Sequence, residues 1–303
     1  MSDAFMGDYQ GTITSATGKT SNVVAQVMSQ GDGDYVANLL DKFDTRHTKI
    51  AVIKGHLDGS IVRFGDTAKI KNDRFTGTVT GETNGTFEMK KVVRLSPTLG
   101  AKPPANALVL FDGTSLDQWL SMNSKTGKTG PCKWKLTDDG AMKIVPGTGW
   151  TITKRKFGSM QLHIEFRVPL VPKGRGQGRG NSGVYIQGRY EIQILDSYGL
   201  EGKDNECGGI YKVSAPRINM CAPPLQWQTY DIEFESAVFD KSGAKRQPAR
   251  ITVLHNGVNI HNRTAVPGKT HVAPFEEGPE PGPIVLQDHG WPVEFRNIWV
   301  VEK

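Results

Sequence analysis

Apolar residues in the first third of the chain fall in short runs broken by glycine, and no run carries the 3.6-residue period of a helix. Gly7-Asp-Tyr-Gln-Gly11, Val23-Val-Ala-Gln-Val27, Tyr35-Val-Ala-Asn-Leu39, Lys49-Ile-Ala-Val-Ile53, Ser60-Ile-Val-Arg-Phe64, Phe75-Thr-Gly-Thr-Val79 and Gly85-Thr-Phe-Glu-Met89 all read as strands. They predict a small antiparallel β domain over residues 1–98, with hairpin turns at Gly31-Asp-Gly-Asp34 and Asp58-Gly59. A calcium loop at Gly31–Asp34 lacks the further carboxylates that an EF-hand supplies. Ser96-Pro-Thr-Leu-Gly-Ala-Lys-Pro-Pro-Ala105 is rich in proline and small residues, which suits a linker over residues 99–107.

Strand signals resume at Leu108 and recur through 142–145, 160–168, 228–234, 250–254, 258–261, 283–289 and 293–301, with His255-Asn256-Gly257 as a hairpin turn. Many strands at short spacing predict an all-β antiparallel sandwich over residues 108–303. The alternation is sharpest in the stretch 179–196. Val184 and Ile186 alternate with Tyr185 and Gln187, and Ile192 and Ile194 alternate with Glu191 and Gln193, so two paired strands each show one apolar and one polar face. Asp196 is one residue out of step. A β-bulge between Gln193 and Asp196 brings Glu191, Gln193 and Asp196 onto one face.

The charge balance, +6 over 303 residues, is scattered, without the basic stripe and interleaved aromatics that nucleic acid demands. No apolar run approaches the roughly 20 residues of a membrane span, and a basic-then-apolar leader is absent, so the chain is expected to be soluble. Three cysteines without Cys-x-x-Cys spacing exclude a zinc ribbon; Cys207 and Cys221 either pair or stay as reduced, buried thiols, with Cys132 free.

Lys173-Gly-Arg-Gly-Gln-Gly-Arg-Gly180 precedes a strand rather than a helix, so it reads as a mobile loop able to close over a ligand, not as a phosphate cradle. Among the histidines, His47, His56, His255, His261 and His271 read as turn or surface residues, whereas His289 shares a strand face with Gln287. His163 and Glu165 share a face with Gln161 and Arg167 that equally suits a polar exterior. Of the six tryptophans, Trp291, in the turn beside His289, is the candidate platform for a sugar ring, and most of them are expected in cores.

Leu110-Phe-Asp-Gly-Thr, Arg179-Gly-Asn-Ser-Gly-Val-Tyr, Arg189-Tyr-Glu-Ile-Gln-Ile-Leu-Asp, Glu206-Cys-Gly-Gly-Ile-Tyr, Trp227-Gln-Thr-Tyr-Asp and Ile284-Val-Leu-Gln-Asp-His-Gly occur in that order. With them, residues 108–303 resemble the 3-keto-disaccharide hydrolase family. The resemblance implies a concanavalin-like jelly roll with a glycan groove, found in periplasmic or secreted bacterial proteins, and leaves residues 1–98 as an appended domain. Laminarinase-type glycosidases of that fold carry a Glu-x-Asp-x-x-Glu row; the matching row here is Glu191-x-Gln193-x-x-Asp196. An amide in the middle and a shortened acid at the end speak against a retaining mechanism, which needs two carboxyls about 5–5.5 Å apart.

Keto-sugar chemistry needs less. A ketone at C3 acidifies the hydrogen on C2, so one carboxylate removes it, the enolate expels the aglycone from C1, and water adds to the enone for net hydrolysis. The resemblance thus implies Glu191 as base, His289 and Arg296 in electrophilic or acid roles, and Asp196 in support. Tyr185, Gln187, Gln193, Gln287 and Trp291 would hold the sugar. A divalent metal on these oxygens and His289 is the one cofactor left open. The rival reading is a lectin-like jelly roll that binds carbohydrate without cleaving it.

Overall fold

A computed structural model describes residues 3–44, 49–80 and 84–303; His47 lies outside the described residues. The chain divides into two compact units. One runs to Arg94 and includes Val171–Arg175 and Tyr198–Glu201; the other is Leu95–Leu170, Gly176–Ser197 and Gly202–Lys303.

The strands of the first unit are β1 (Gly7–Ser15), β2 (Thr20–Gly31), β3 (Asp34–Leu40), β4 (Ala51–Asp58), β5 (Ile61–Phe64), β6 (Ala68–Lys71), β7 (Arg74–Val79) and β8 (Gly85–Val92). Each pairs antiparallel with the next, and β8 returns to β1 to close a barrel. Closure removes the sheet edges, so nothing is left to template a further strand. Its interior is filled by Tyr9, Val27, Leu39, Val62, Phe64, Ile70, Phe75 and Phe87, with Tyr9 and Phe87 edge-on to Phe75. β6 is the strand that the sequence pattern missed, because Ala68-Lys-Ile-Lys71 offers only two inward apolar residues.

The second unit contains β9 (Leu108–Phe111), β10 (Trp119–Met122), β11 (Thr129–Pro131), β12 (Lys135–Leu136), β13 (Met142–Lys143), β14 (Trp150–Phe157), β15 (Met160–Arg167), β16 (Asn181–Ile186), β17 (Tyr190–Leu195), β18 (Gln228–Glu235), β19 (Val238–Phe239), β20 (Lys245–Gln247), β21 (Ala249–His255), β22 (Val258–Val266), β23 (Gly282–Leu286) and β24 (Glu294–Glu302). They form a six-stranded sheet, β11-β10-β14-β23-β16-β17, and a larger one, β12-β13-β24-β15-β18-β21-β22, which β9 joins through β24. Among the described residues there is one 3-10 turn and no α-helix.

The inner faces supply one core: Val184, Ile186, Ile192, Ile194, Ile284 and Leu286 from the first sheet meet Leu162, Ile164, Phe166, Ile232, Phe234, Val253, Phe295 and Ile298 from the second. This is the predicted antiparallel sandwich. Asn256 (φ 49°) and Gly257 (φ 78°) make the expected turn, since both sit in the left-handed region a two-residue hairpin requires. Ser96 and Thr98, read as the end of the first domain just before the linker, belong to the second unit: Ser96 Oγ lies 2.6 Å from Thr229 Oγ1, and Thr98 Oγ1 donates to Asp231 at 2.6 Å.

Two histidines read as turn or surface residues are buried. His255 and His261 fall on core-facing positions of β21 and β22, where Nε2 of His255 meets Gln228 Oε1 (2.9 Å) and Nε2 of His261 meets the Gly208 carbonyl (2.8 Å). Burial holds the His255 ring neutral by pushing its pKa down to about 3.

Candidate functional site

β16 and β17 form the expected hairpin, with Tyr185 opposite Glu191, Gly183 opposite Gln193 and Asn181 opposite Leu195. β23 adds Val285 beside Tyr185, and the Gln287 amide donates to the Gly183 carbonyl at 3.0 Å. β14 brings Ile152 beside Val285. Parity therefore gathers Glu191, Gln193, Tyr185, Gln287 and Trp150 on the outer face of the six-stranded sheet, away from the sandwich core.

Glu191 is the centre of this face. It is 2% exposed, and Oε1 stands 2.3 Å from where a Cβ on Gly183 would be. Only a glycine leaves room for that carboxyl. The Tyr185 hydroxyl donates to Glu191 and accepts from Gln287 Nε2 at 3.0 Å. Oε2 has no hydrogen-bond partner among the described residues. Burial raises the carboxyl's pKa to about 8, and the single bond from Tyr185 only partly offsets it.

Two amides continue the row. Gln193 Nε2 and Asn181 Nδ2 both donate to Gln177 Oε1, at 3.0 and 3.1 Å. With their nitrogens tied to one hub, Gln193 Oε1 and Asn181 Oδ1 are left buried without partners. Two amide oxygens on this face thus await donors, which is what sugar hydroxyls supply, with the unpartnered Oε2 of Glu191 beside them.

The face is roofed on one side by the segment 270–275. Thr270 Oγ1 accepts from the Glu191 amide (3.0 Å), and the Phe275 amide donates to the Gly188 carbonyl (3.1 Å). Ala273 and Phe275 pack with Tyr185, Val285 and Ile152. Tyr211 is close enough for Glu191 to raise its pKa further, beyond the larger effect of its own burial, and its ring stacks on the exposed His271 at 6.5 Å.

Not every predicted residue belongs here. Gln187 (φ 54°) and Gly188 (φ 63°) form the hairpin turn, so Gln187 leaves the strand alternation and its amide instead donates to the Phe157 carbonyl at 2.9 Å. The ladder runs unshifted through Leu195, and the Asp196 amide continues it to the Gly180 carbonyl at 2.7 Å. No bulge intervenes, so Asp196 falls on the opposite face from Glu191, beside the thiols of Cys207 and Cys221, with Arg179 Nη2 at 3.3 Å.

Arg296 is on the other sheet. Its Nε donates to Glu165 at 2.7 Å and its guanidinium lies 4.2 Å from the Trp227 ring centre. His289 is exposed in the turn after β23 and makes no hydrogen bond or ion pair among the described residues. Trp291 is half-buried against the sandwich core; the tryptophan beside Glu191's face is Trp150, stacked on Tyr185 at 5.2 Å. Gln177, Asn181, Tyr211 and Trp150 escaped the sequence reading. The Arg179-Gly-Asn-Ser-Gly motif contained Asn181, but only the loop's path reveals Gln177. Among the described residues no group of three or more His, Cys, Asp or Glu side chains is placed to hold a metal ion.

The sequence model of the 3-keto-alpha-glucoside-1,2-lyase-like domain matches residues 106–301. Among solved structures, a provisionally named glycosyl hydrolase from Parabacteroides distasonis ATCC 8503 is 38% identical, with a TM-score of 0.60 over 66% of this chain and 85% of its own. A second such protein from that organism is 18% identical over 65% of this chain and 94% of its own, with a TM-score of 0.47. No curated protein matches.

Proposed function

Because the chain belongs to the 3-keto-alpha-glucoside-1,2-lyase-like family, we propose that it is a glycoside-cleaving enzyme that acts on 3-keto-glycosides, with Glu191 as the base that takes the C2 proton. The name of the 38%-identical neighbour agrees with a glycoside substrate. The observation that carries the reading is the Glu191 carboxyl itself: buried, with Oε2 unpartnered and a pKa near 8.

A carbon acid needs a stronger base than an ordinary carboxylate, and basicity rises with pKa. The ionised fraction at pH 7 is small, about one in ten, yet each ionised carboxylate lacks the hydration that would blunt it. Proton removal leaves its electron pair on C2, and the charge delocalises onto the C3 oxygen. The Tyr211 hydroxyl, and the Gln287 Nε2 hydrogen not given to Tyr185, serve as donors for that oxygen and for the departing aglycone oxygen. The enolate then collapses and breaks the C1–O bond while the departing oxygen takes a proton from the Tyr211 hydroxyl; water adds its oxygen at C1 and its spare proton restores Tyr211, and Glu191 returns its proton to C2, which completes a net hydrolysis. Arg296 and His289 take no part in this scheme. Gln193 and Asn181, held by Gln177, accept sugar hydroxyls. The roof that residues 270–275 form has to move for a sugar to reach Oε2.

Glu191→Gln keeps the shape and removes the base. Cleavage of a 3-keto-disaccharide, followed by mass spectrometry, is expected to fall at least about a thousandfold, the scale of a lost general base together with lost orientation. Cleavage within a few-fold of the wild type would remove Glu191 from the mechanism. Binding without any product from the wild type would favour the lectin-like reading.

A further inference from the structure

Beside the Glu191 face lies a cavity of about 630 Å³, within the usual range for a small-molecule site. Its wall includes Lys125, Lys128, Lys133, Asn123, Trp150 and Asp288. The indole of Trp150 joins it to the site, since the same ring that lines the cavity stacks on Tyr185, the hydrogen-bond partner of Glu191.

The charges in this wall are unbalanced. Asp288 is engaged by backbone: Oδ2 accepts from the Gly147 and Gly149 amides at 2.7 and 3.3 Å, and Oδ1 from the Gly290 amide at 2.9 Å. None of the three lysines makes an ion pair among the described residues. Three lysines therefore share the cavity wall with one carboxylate that is already hydrogen-bonded three times.

We infer that this cavity is a subsite for an anionic substituent of the glycoside, so that the substrate is an acidic sugar whose neutral ring rests on Trp150 while its charge meets Lys125, Lys128 and Lys133. The inference rests on the proposed function for the site it adjoins. An aromatic face beside a cationic patch fits a sugar acid better than a neutral sugar, which would use the indole and leave the lysines idle. Lysines are flexible point charges, unlike the planar fork of arginine, so a carboxylate and a sulfate or phosphate ester share the chemistry recognised.

The test compares kcat and KM for three 3-keto-disaccharides, carrying a neutral, a carboxylated or a sulfated unit, with the wild type and with the exposed lysines changed together, Lys125→Met, Lys128→Met and Lys133→Met. The expected result is a KM at least about tenfold lower for an anionic substrate. That preference should vanish in the triple variant and fade as ionic strength rises from about 0.01 M to about 1 M, over which the screening length drops from about 30 Å to about 3 Å. The neutral substrate should respond to neither change. Which anion is preferred identifies the source of the charge. Equal cleavage of neutral and anionic sugars, unchanged by the variant, overturns the subsite and leaves the proposed function standing. If no substrate is cleaved, the proposed function fails; calorimetric binding of the anionic disaccharides then decides the cavity alone. Lysine-dependent binding sustains it, and equal or absent binding overturns it.

Discussion

Glu191 and Glu165 are both buried carboxyls on outer faces of the same sandwich, one on each sheet, and their surroundings drive them in opposite directions. Glu165 is surrounded by donors: Asn297 Nδ2 (2.9 Å) and the Gly100 amide (2.5 Å) on Oε1, Arg296 Nε (2.7 Å) on Oε2, with His163 Nε2 at 3.6 Å. Burial alone would raise its pKa, but these donors together outweigh it and hold the group down to about 2. His163 in turn pairs with Asp231 at 2.6 Å, and Thr98 donates to the same carboxylate, so the network fastens residues 96–101 across β15, β18 and β24. Glu191 has one hydroxyl donor and an empty oxygen, and burial prevails, to about 8. A buried acid with all its lone pairs spoken for is structural; one left short of partners is available for chemistry.

The comparison is broken most forcefully at Glu165. Glu165→Ala strands the Arg296 charge and the Asn297 and Gly100 donors, and should cost about 3–5 kcal/mol of stability by denaturant titration. A loss below about 1 kcal/mol would mean that the network holds nothing together. Next is pH. Glu165, with its folded pKa depressed, contributes stability that is present above the unfolded pKa of about 4.5 and lost as pH falls towards about 2. Glu191, with its folded pKa raised, contributes stability present below about 4.5 and lost as pH rises to about 8. The wild type should therefore weaken at both ends. Glu191→Gln should remove the alkaline loss, on the order of 2–4 kcal/mol between pH 5 and pH 9, and leave the acid loss untouched. A variant with the same alkaline slope as the wild type would contradict the burial account.

Smaller still is Gly183→Ala. Its methyl group needs the space of the Glu191 carboxyl, 2.3 Å away, so activity should drop by about a hundredfold while the melting temperature moves by only a few degrees. The smallest effect is expected for Thr98→Val, which removes one hydrogen bond to Asp231 and should cost about 1 kcal/mol without changing kcat.

Much of this was legible in residue order. The alternation in 184–194 correctly placed four apolar side chains inside and Tyr185, Glu191 and Gln193 outside, and Asn256-Gly257 marked its turn. β14 was missed because Lys154-Arg-Lys156 interrupts its apolar pattern. Parity fails where the chain leaves the ladder. Gln187 looked like a strand residue and became a turn because Gly188 follows it. The bulge expected before Asp196 occurs instead on β24, where Asn297 (φ 45°) shifts the register and turns both Arg296 and Asn297 towards Glu165. Nor does alternation say which of two sheets an outer face belongs to. Arg296 and Glu191 both read as outward, polar-face residues, and they lie on opposite sides of the core. What separates the two glutamates, the count of donors around each, comes from segments distant in sequence: Gly100 and Asn297 for Glu165, Thr270 and Gln287 for the face around Glu191.

The central claim is that the carboxyl of Glu191 is a base held near pKa 8. The most direct measurement is the pH dependence of kcat/KM for cleavage of a 3-keto-disaccharide by the wild type. The account predicts a tenfold rise per pH unit up to a plateau beginning near 8, with the Glu191→Gln protein flat across the range. A profile that falls as pH rises through 8 would make Glu191 an acid, and an inflection near 4.5 would show a carboxyl that burial does not perturb.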